Sequence, residues 1–248
     1  MSSSEESSPL LTVVVAAYDE RPTIDVLLER VARAPYDKEI VVVDDGSSDG
    51  TREFLDTVAR GERTYLDGAG RPVPVTALFQ PRNRGKGAAL RRGFAVASGS
   101  IVLVQDADLE YDPSDYPALV EPIRAGLADV VYGSRFLGGP QRVHLFWHYM
   151  GNRLVTLLSN MLTNLKLSDM ETGYKAFRRD VVLAIAPTLK SNRFGFEPEI
   201  TAKVARGGFR VYETPIAYHG RDYDEGKKIT WRDGAAAVFH ILRFRLFD

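Results

Sequence analysis

Asp106 and Asp108 stand two residues apart at the end of a short apolar run, Ile101 to Gln105. In extended chain, positions i and i+2 point to the same side. The two carboxylates therefore share one region and repel each other unless a cation lies between or near them. Hard divalent ions such as Mg2+ or Mn2+ take oxygen ligands and share their shell with phosphate oxygens. Glu110, two residues further on, is a third candidate ligand, or a group that orients a metal-bound water. The triplet alone serves equally well as a solvated acidic turn capping the next helix. The strand before it and the other polar clusters of the chain favour the metal.

A second acidic pair, Asp44 and Asp45, ends the apolar run Glu39 to Val43. Carboxylates there can accept hydrogen bonds from a ribose or a base, although Asp-Asp-Gly-Ser would form a turn in any case. Pro81-Arg82-Asn83-Arg84-Gly85-Lys86-Gly87 leads into a helical stretch. Its glycines allow close backbone approach, a helix N-terminus favours phosphate, and Lys86 adds a cation. The segment is not a P-loop, because Gln80 stands where the first glycine is required and Gly87 where Ser or Thr is required. No Gly-X-Gly-X-X-Gly follows the first apolar run either, which argues against an ATPase and a dehydrogenase.

These groups need a scaffold that brings distant segments to one edge. Leu11 to Ala17 is a continuous apolar run, as in a strand buried on both faces. Pro22 to Ala34 is expected to be helical, with Ile24, Leu27, Leu28 and Val31 on one side. Glu39 to Val43 is a second strand, and Asp49 can cap a helix running to Ala59. Val73 to Phe79, Ile101 to Gln105 and Asp129 to Gly133 supply further strands, with helices at Gly85 to Ala97 and Pro113 to Ala125. This alternation predicts an α/β fold with a mostly parallel sheet covered on both sides. Ligands of such sheets bind beyond the carboxyl ends of the strands. Tyr18-Asp19-Glu20, Asp44-Asp45, Asp106-Ala107-Asp108 and Ser134-Arg135 all fall at those ends. Further on, Leu145 to Leu165 is a long apolar helical stretch, 168–178 a polar loop with a short strand, and Glu197 to Arg206 a helix. Phe209 to Tyr212 and Pro215 to Tyr218 suit short strands, and a last helix starts near Thr230.

With 248 residues, 44% of them hydrophobic and 26% charged, the chain has the composition of an ordinary globular protein. A net charge of −1 argues against a general nucleic-acid binder. The absence of cysteine excludes disulfides and thiolate metal sites and suits a cytoplasmic setting. Residues 1–9 are rich in Ser and Glu, lack the features of a signal peptide, and are expected to form a disordered tail ahead of a domain spanning 10–228. No run of about 18 uncharged apolar residues is present, so no bilayer-spanning helix is expected. In 229–248, Trp231, Ala235, Val238, Leu242 and Leu246 recur at helical spacing. Arg232, His240 and Arg243 lie on another face, while Ile241, Phe244 and Phe247 widen the apolar surface. This pattern suits a helix lying in a membrane interface, joined by Phe146 and Trp147, or equally a face buried on the domain or in a homo-oligomer.

In order along the chain, these segments resemble the family-2 glycosyltransferases of GT-A fold, from Val13 to about Arg245. Val13 to Glu20 is similar to the family's opening strand and loop, with Ala16 for its usual Pro and Asp19 for its Asn. Ile40 to Thr51 resembles the nucleotide loop, and Asn83 to Ala88 and Asp106 to Asp108 the next two landmarks. Tyr132 to Phe136, Ser168 to Lys175, Phe196 to Ile200 and Glu225 to Ile229 narrow the resemblance to the dolichol- and polyprenyl-phosphate mannose or glucose synthases. The resemblance implies inverting transfer of a hexose from a nucleotide sugar, of GDP-mannose or UDP-glucose type, to a lipid phosphate on the cytoplasmic membrane face. It places Asp106, Asp108 and Glu110 on a Mg2+ or Mn2+. Ala16, Tyr18, Glu20 and Asp45 would line the nucleoside pocket. Arg135 would meet the acceptor phosphate, assisted by Arg142, His144 or Arg153, and Arg221 the donor diphosphate. Asp108, Arg135 and Arg221 are thus the expected catalytic groups, with Lys227 and Lys228 either closing over the site or remaining solvated.

A glycan hydroxyl acceptor would instead require a base, for which Asp169 or Glu171 is the candidate. His219 is expected to be a surface histidine. A sugar-1-phosphate nucleotidyltransferase is disfavoured because the Gly-rich, Arg-containing loop after the first strand is missing. A non-catalytic nucleotide-sugar-binding protein is disfavoured by the presence of Asp106, Asp108 and Arg135.

Overall fold

The structure is a computed structural model that describes residues 9–138, 146–193, 195–220 and 238–244. Its sheet is built from β1 (Leu11–Ala17), β2 (Lys38–Asp44), β5 (Val75–Phe79), β6 (Ile101–Asp106), β7 (Val130–Ser134), β8 (Lys175–Arg178) and β9 (Val211–Pro215). The strand order is β5-β2-β1-β6-β8-β7-β9. Only β8 runs antiparallel to its neighbours. A small ribbon pairs β3 (Tyr65–Leu66) with β4 (Pro72–Val73).

β1 shows why its sequence is apolar without alternation. Val13 and Val15 pack on one face with Leu27 and Leu28 of α1 (Ile24–Arg33) and Leu119 of α4 (Tyr116–Arg124). Val14 packs on the other with Leu90 and Phe94 of α3 (Lys86–Phe94). A strand at the centre of a parallel sheet has no solvent face, so Leu11 and Val13 to Val15 are branched apolar residues whichever face they point to. That second layer also takes in α5 (Phe146–Thr163), α6 (Arg179–Ile185) and α7 (Phe196–Arg206), whereas α2 (Thr51–Ala59) lies by β5 and β2.

From β1 the chain winds outward to β2 and β5, then crosses back to β6 on the other side of β1. Such a reversal leaves a crevice at the carboxyl ends of the two central strands. Ala16 pairs with Asp106 across it, and Ala17 with Asp44 on the other side. Because β8 is antiparallel, its first residue, Lys175, lies opposite Val104 and Tyr132. The loop 168–174 therefore arrives at the same edge.

Several expectations shift in detail. The expected third strand divides at Pro74 into β4 and β5. Gly50, at φ +96°, is the N-cap of α2 in place of Asp49, whose Oδ1 nevertheless accepts the Thr51 N–H at 3.0 Å. The two short strands expected after Phe209 are one strand, β9, followed by an isolated bridge between Tyr218 and Tyr111. α6 was not expected: at seven residues it is too short to show a period of its own. The proposed boundary at 228/229 and the start of the last helix lie outside the described residues, but 238–244 is helical. Its apolar face is divided. Ile241 and Phe244 are buried, with Phe244 O accepting from Arg206 Nη2 at 2.9 Å, while Phe239 and Leu242 are exposed. This part of the helix thus docks on the domain and turns only a fraction of its apolar residues outward.

Candidate active site

The carboxyl edge of β2 is organised by carboxylates bonded to backbone. Asp44 accepts from the N–H groups of Gly46 and Ser47, both at 3.2 Å, and pairs with Arg52 at 3.1 Å. Asp45 accepts from Gln80 Nε2 at 2.9 Å, Arg84 N at 2.8 Å and Gly85 N at 2.6 Å. It thereby ties the strand end to the loop that precedes α3. Burial outweighs these donors, and the pKa of Asp45 is raised. Gly46 is required here: its φ is +76°, and a Cβ would lie 2.5 Å from the Arg82 carbonyl carbon. Glu20 is tied in as well, its N–H donating to Thr51 Oγ1 at 2.9 Å and its Oε2 accepting from Thr23 at 3.0 Å. The same Thr23 hydroxyl shares its single hydrogen with Ala107 O at 2.8 Å, which joins the first loop to the acidic triplet. Tyr18 stands exposed at the rim.

At the end of β6, Asp106 meets Lys86 at 2.7 Å, from the first turn of α3. Lys86 also lies 3.3 Å from Glu197 on α7, and Glu197 in turn pairs with the buried Lys175. Burial pulls the Lys86 pKa down, but Asp106 and Glu197 more than offset it and hold the ammonium above its ordinary value. Lys175 Nζ also donates to the carbonyls of Met170 and Thr172 and lies 4.8 Å from the Tyr132 ring centre. The sequence marked Glu197 only as part of a family segment. Its bridging of two lysines depends on α7 reaching under α3, which no local spacing reveals.

A second charged group forms beyond β7. Arg135 binds Asp169 through Nε at 2.6 Å and Nη2 at 2.8 Å, a bidentate pair that leaves Nη1 out of both bonds. Asp169 is wholly buried and is also met by Asn152 Nδ2 of α5 at 3.3 Å. The backbone of the same loop is held by Glu213, which accepts from Ser168 N at 2.8 Å and Asp169 N at 3.0 Å. Burial opposes the charge on Arg135, yet Asp169 raises its pKa well above the usual value. The guanidinium lies 5.1 Å from the Tyr218 ring centre. Asp169, one of the two candidate bases, is therefore an anchor for Arg135.

The third expected metal ligand, Glu110, is tied to the chain after β9 through one of its oxygens. Glu110 Oε2 accepts from Tyr218 Oη at 2.6 Å, and Leu109, at φ +62°, turns the chain between Asp108 and Glu110. Among the described residues no group of three acidic or histidine side chains is arranged to hold a metal ion. Asp106 and Asp108 remain as hard oxygen donors on one turn, a set that suits Mg2+ or Mn2+ when ligand oxygens complete the shell. Gly173 makes room for this arrangement, since a Cβ there would fall on Asp106 Oδ2. Arg153 is exposed on α5, its guanidinium 5.9 Å from the Tyr149 ring centre; its neighbour Asn152, and not Arg153, reaches Asp169. His219 is exposed, as expected. Arg142, His144, Arg221, Lys227 and Lys228 lie outside the described residues.

The edge thus carries two carboxylates beside a lysine on one side and a braced guanidinium on the other. Such a pair of sites can receive a diphosphate with its cation and a separate phosphate. The family model of glycosyl transferase family 2 matches residues 12–185. The chain is 32% identical over 240 residues to an undecaprenyl-phosphate mannosyltransferase of Micrococcus luteus, covering 94% of this chain and 93% of that one. It is 30% identical over 220 residues to a polyprenol monophosphomannose synthase of Mycolicibacterium smegmatis, covering 87% and 79%. Glucosyl-3-phosphoglycerate synthase of Mycobacterium tuberculosis, solved with Mn2+, UDP and its product, superposes with a TM-score of 0.68 at 20% identity, over 96% of this chain and 80% of that one. At that identity the likeness shows the GT-A fold.

Proposed function

The chain belongs to glycosyl transferase family 2, and on that premise we propose that it moves a hexose, mannose in the first instance, from a nucleotide sugar to a polyprenyl phosphate at a membrane surface. The observation that carries this reading is Arg135, a guanidinium fixed by a buried carboxylate at the same sheet edge as Asp106 and Asp108. The names of the relatives from Micrococcus luteus and Mycolicibacterium smegmatis support it.

Asp44, Asp45, Glu20, Tyr18 and Ala16 are assigned to the nucleoside, and Lys86 with Asp106 to the diphosphate. Asp106 and Asp108 would hold a Mg2+ or Mn2+, whose contribution when bound is to offset charge on the departing diphosphate. The acceptor phosphate is anionic near neutral pH, its second pKa being about 6, so its oxygen attacks the anomeric carbon without a base. The new oxygen–carbon bond forms as the bond to the diphosphate breaks, and the electron pair leaves with the nucleoside diphosphate. Arg135 offsets the repulsion between the two anions and aligns the incoming oxygen. Asp169 keeps the guanidinium in place through two parallel bonds, and Asn152 links that anchor to α5.

α5 supports the lipid acceptor. Trp147, Met150, Leu154, Leu157 and Met161 follow one another at spacings of three and four and are all exposed, Trp147 to 80%. No described helix is long and apolar enough to cross a membrane, so this stripe suits a helix lying in the interface plane. Purified protein given GDP-mannose or UDP-glucose, Mg2+ and polyprenyl phosphate should form a lipid-linked sugar. Transfer to a glycan hydroxyl with none to the lipid phosphate would overturn the proposal.

A further inference from the structure

We propose that Glu171 is the group that recognises the transferred hexose, binding one of its hydroxyls between the donor diphosphate and the acceptor phosphate. The inference rests on the reading above and deepens it. The segment 169–173 runs from one charged group to the other: Asp169 at its start anchors Arg135, and Gly173 at its end lies against Asp106. The carbon that changes partners must pass between those two points, because its bond to one phosphate is exchanged for a bond to the other. Met170 and Thr172, on either side of Glu171, are wholly buried in the protein. Glu171 is the member of the segment with unused capacity: its Oε1 is shielded from solvent and has no hydrogen-bond partner. Arg135 and Asp169 act on its charge from the acceptor side, and Lys175 and Glu197 from the donor side.

Charge decides what this carboxyl can take. Both phosphate-bearing ligands are anions and would be repelled by a carboxylate that lacks a cation of its own. The hexose is neutral and presents hydroxyl donors. A buried acceptor without a partner costs about 1–3 kcal/mol, a cost removed when a donor arrives. Burial and the neighbouring Glu197 push the Glu171 pKa up to about 7, so near neutrality it can donate as well as accept, which suits a hydroxyl. A phosphate acceptor needs no base, so nothing in the reaction as proposed uses Glu171 otherwise.

The test compares ligands with and without the sugar. Binding of GDP, GDP-mannose, UDP and UDP-glucose, each with Mg2+, is measured by calorimetry on wild type, Glu171→Ala and Glu171→Gln. The expected result is that Glu171→Ala binds the bare nucleoside diphosphate within about twofold of wild type but the nucleotide sugar about 10- to 100-fold more weakly, the scale of one hydrogen bond to a charged group. Donors lacking single hydroxyls should identify one that costs wild type a similar factor and costs Glu171→Ala nothing further. Equal weakening of both ligands, or of neither, would overturn the assignment. So would a loss confined to kcat, which marks a base, or to KM for the lipid phosphate. Glu171→Gln, which keeps a donor and an acceptor, should lose less than Glu171→Ala; if Glu171→Ala is unfolded, Glu171→Leu carries the same comparison with the same outcomes. Wild type that binds the donor but leaves polyprenyl phosphate unmodified sinks the acceptor assignment alone; wild type that binds none of the four ligands sinks both.

Discussion

The two halves of the sheet edge satisfy their carboxylates by different means. Around β1 and β2, Asp44, Asp45 and Asp49 bond chiefly to backbone N–H groups of nearby turns. Around β7 and β8, Asp169 and Glu197 are held by cations, the partly buried Arg135 and the buried Lys175, while Glu213 rests on the N–H groups of Ser168 and Asp169. Backbone donors are fixed by the fold and keep their bonds whatever binds. A buried cation is a charge as well as a donor, and an incoming anion competes for it. The first half is thereby suited to being a preformed cradle. The second is suited to responding to the charge of what enters, which fits a nucleoside on one side and an acceptor phosphate on the other. Lys86 stands where the two meet, shared between Asp106 and Glu197.

Removing a carboxylate of the acidic triplet beside that meeting point should have the largest effect. Asp108→Ala is expected to lower kcat about 1,000-fold or more, the scale of losing electrostatic stabilisation of a developing charge, with little change in melting temperature. Full activity of this variant would remove the metal assignment. Next is Asp169→Asn, which leaves Arg135 buried without its counter-charge. Breaking a buried pair costs about 3–5 kcal/mol, readable as a lowered denaturation midpoint. Asp49→Asn, which alters an acid served by backbone donors, should cost about 1 kcal/mol or less. Equal losses in the two variants would erase the contrast between the halves.

The buried carboxyl that lacks a partner gives the third effect. The pKa of Glu171 is raised from 4.5 to about 7, first by burial and then by Glu197. A raised acid binds its proton more tightly in the folded chain, so its contribution is fully present below about 4.5 and is lost as pH rises through about 7. Glu171→Gln does not titrate. Its stability relative to wild type should therefore rise between pH 5 and 8, by up to about 3 kcal/mol. Thermal melts across that range check it, and a flat difference would contradict the burial argument. The smallest effect concerns the outer face of α5. Trp147→Ser with Leu154→Ser should weaken flotation with anionic liposomes while leaving nucleoside diphosphate binding unchanged. Undiminished flotation would assign the stripe to another partner.

The halves also differ in how far the sequence discloses them. β1, β2 and β6 are continuous apolar runs ending in carboxylates, and the parallel sheet and its active edge follow from that pattern. The cradle bonds are local or bridge adjacent loops, so Asp44, Asp45 and Asp106 are found at the strand ends where they were expected. Arg135 with Asp169, and Lys175 with Glu197 and Lys86, are paired only by the antiparallel insertion of β8 and by α7. Both elements are expected from the sequence, but nothing in either announces where it docks. The ion pair of Asp169 with Arg135 and the bond from Tyr218 Oη to Glu110 Oε2 could not be read from the sequence for that reason. The last helix presented a wide apolar face that suited a membrane or the domain equally, and Ile241 and Phe244 are buried on the domain.

The division of labour along the edge is tested most directly by the kinetics of Arg135→Lys, with donor and acceptor varied separately. A lysine keeps the charge but loses the fork that Asp169 grips. The account predicts a KM for polyprenyl phosphate raised about tenfold or more, and a donor dissociation constant within about twofold of wild type, the scale of one charge-assisted bond. A weakened donor with an unchanged acceptor KM would contradict it, and would move Arg135 to the diphosphate.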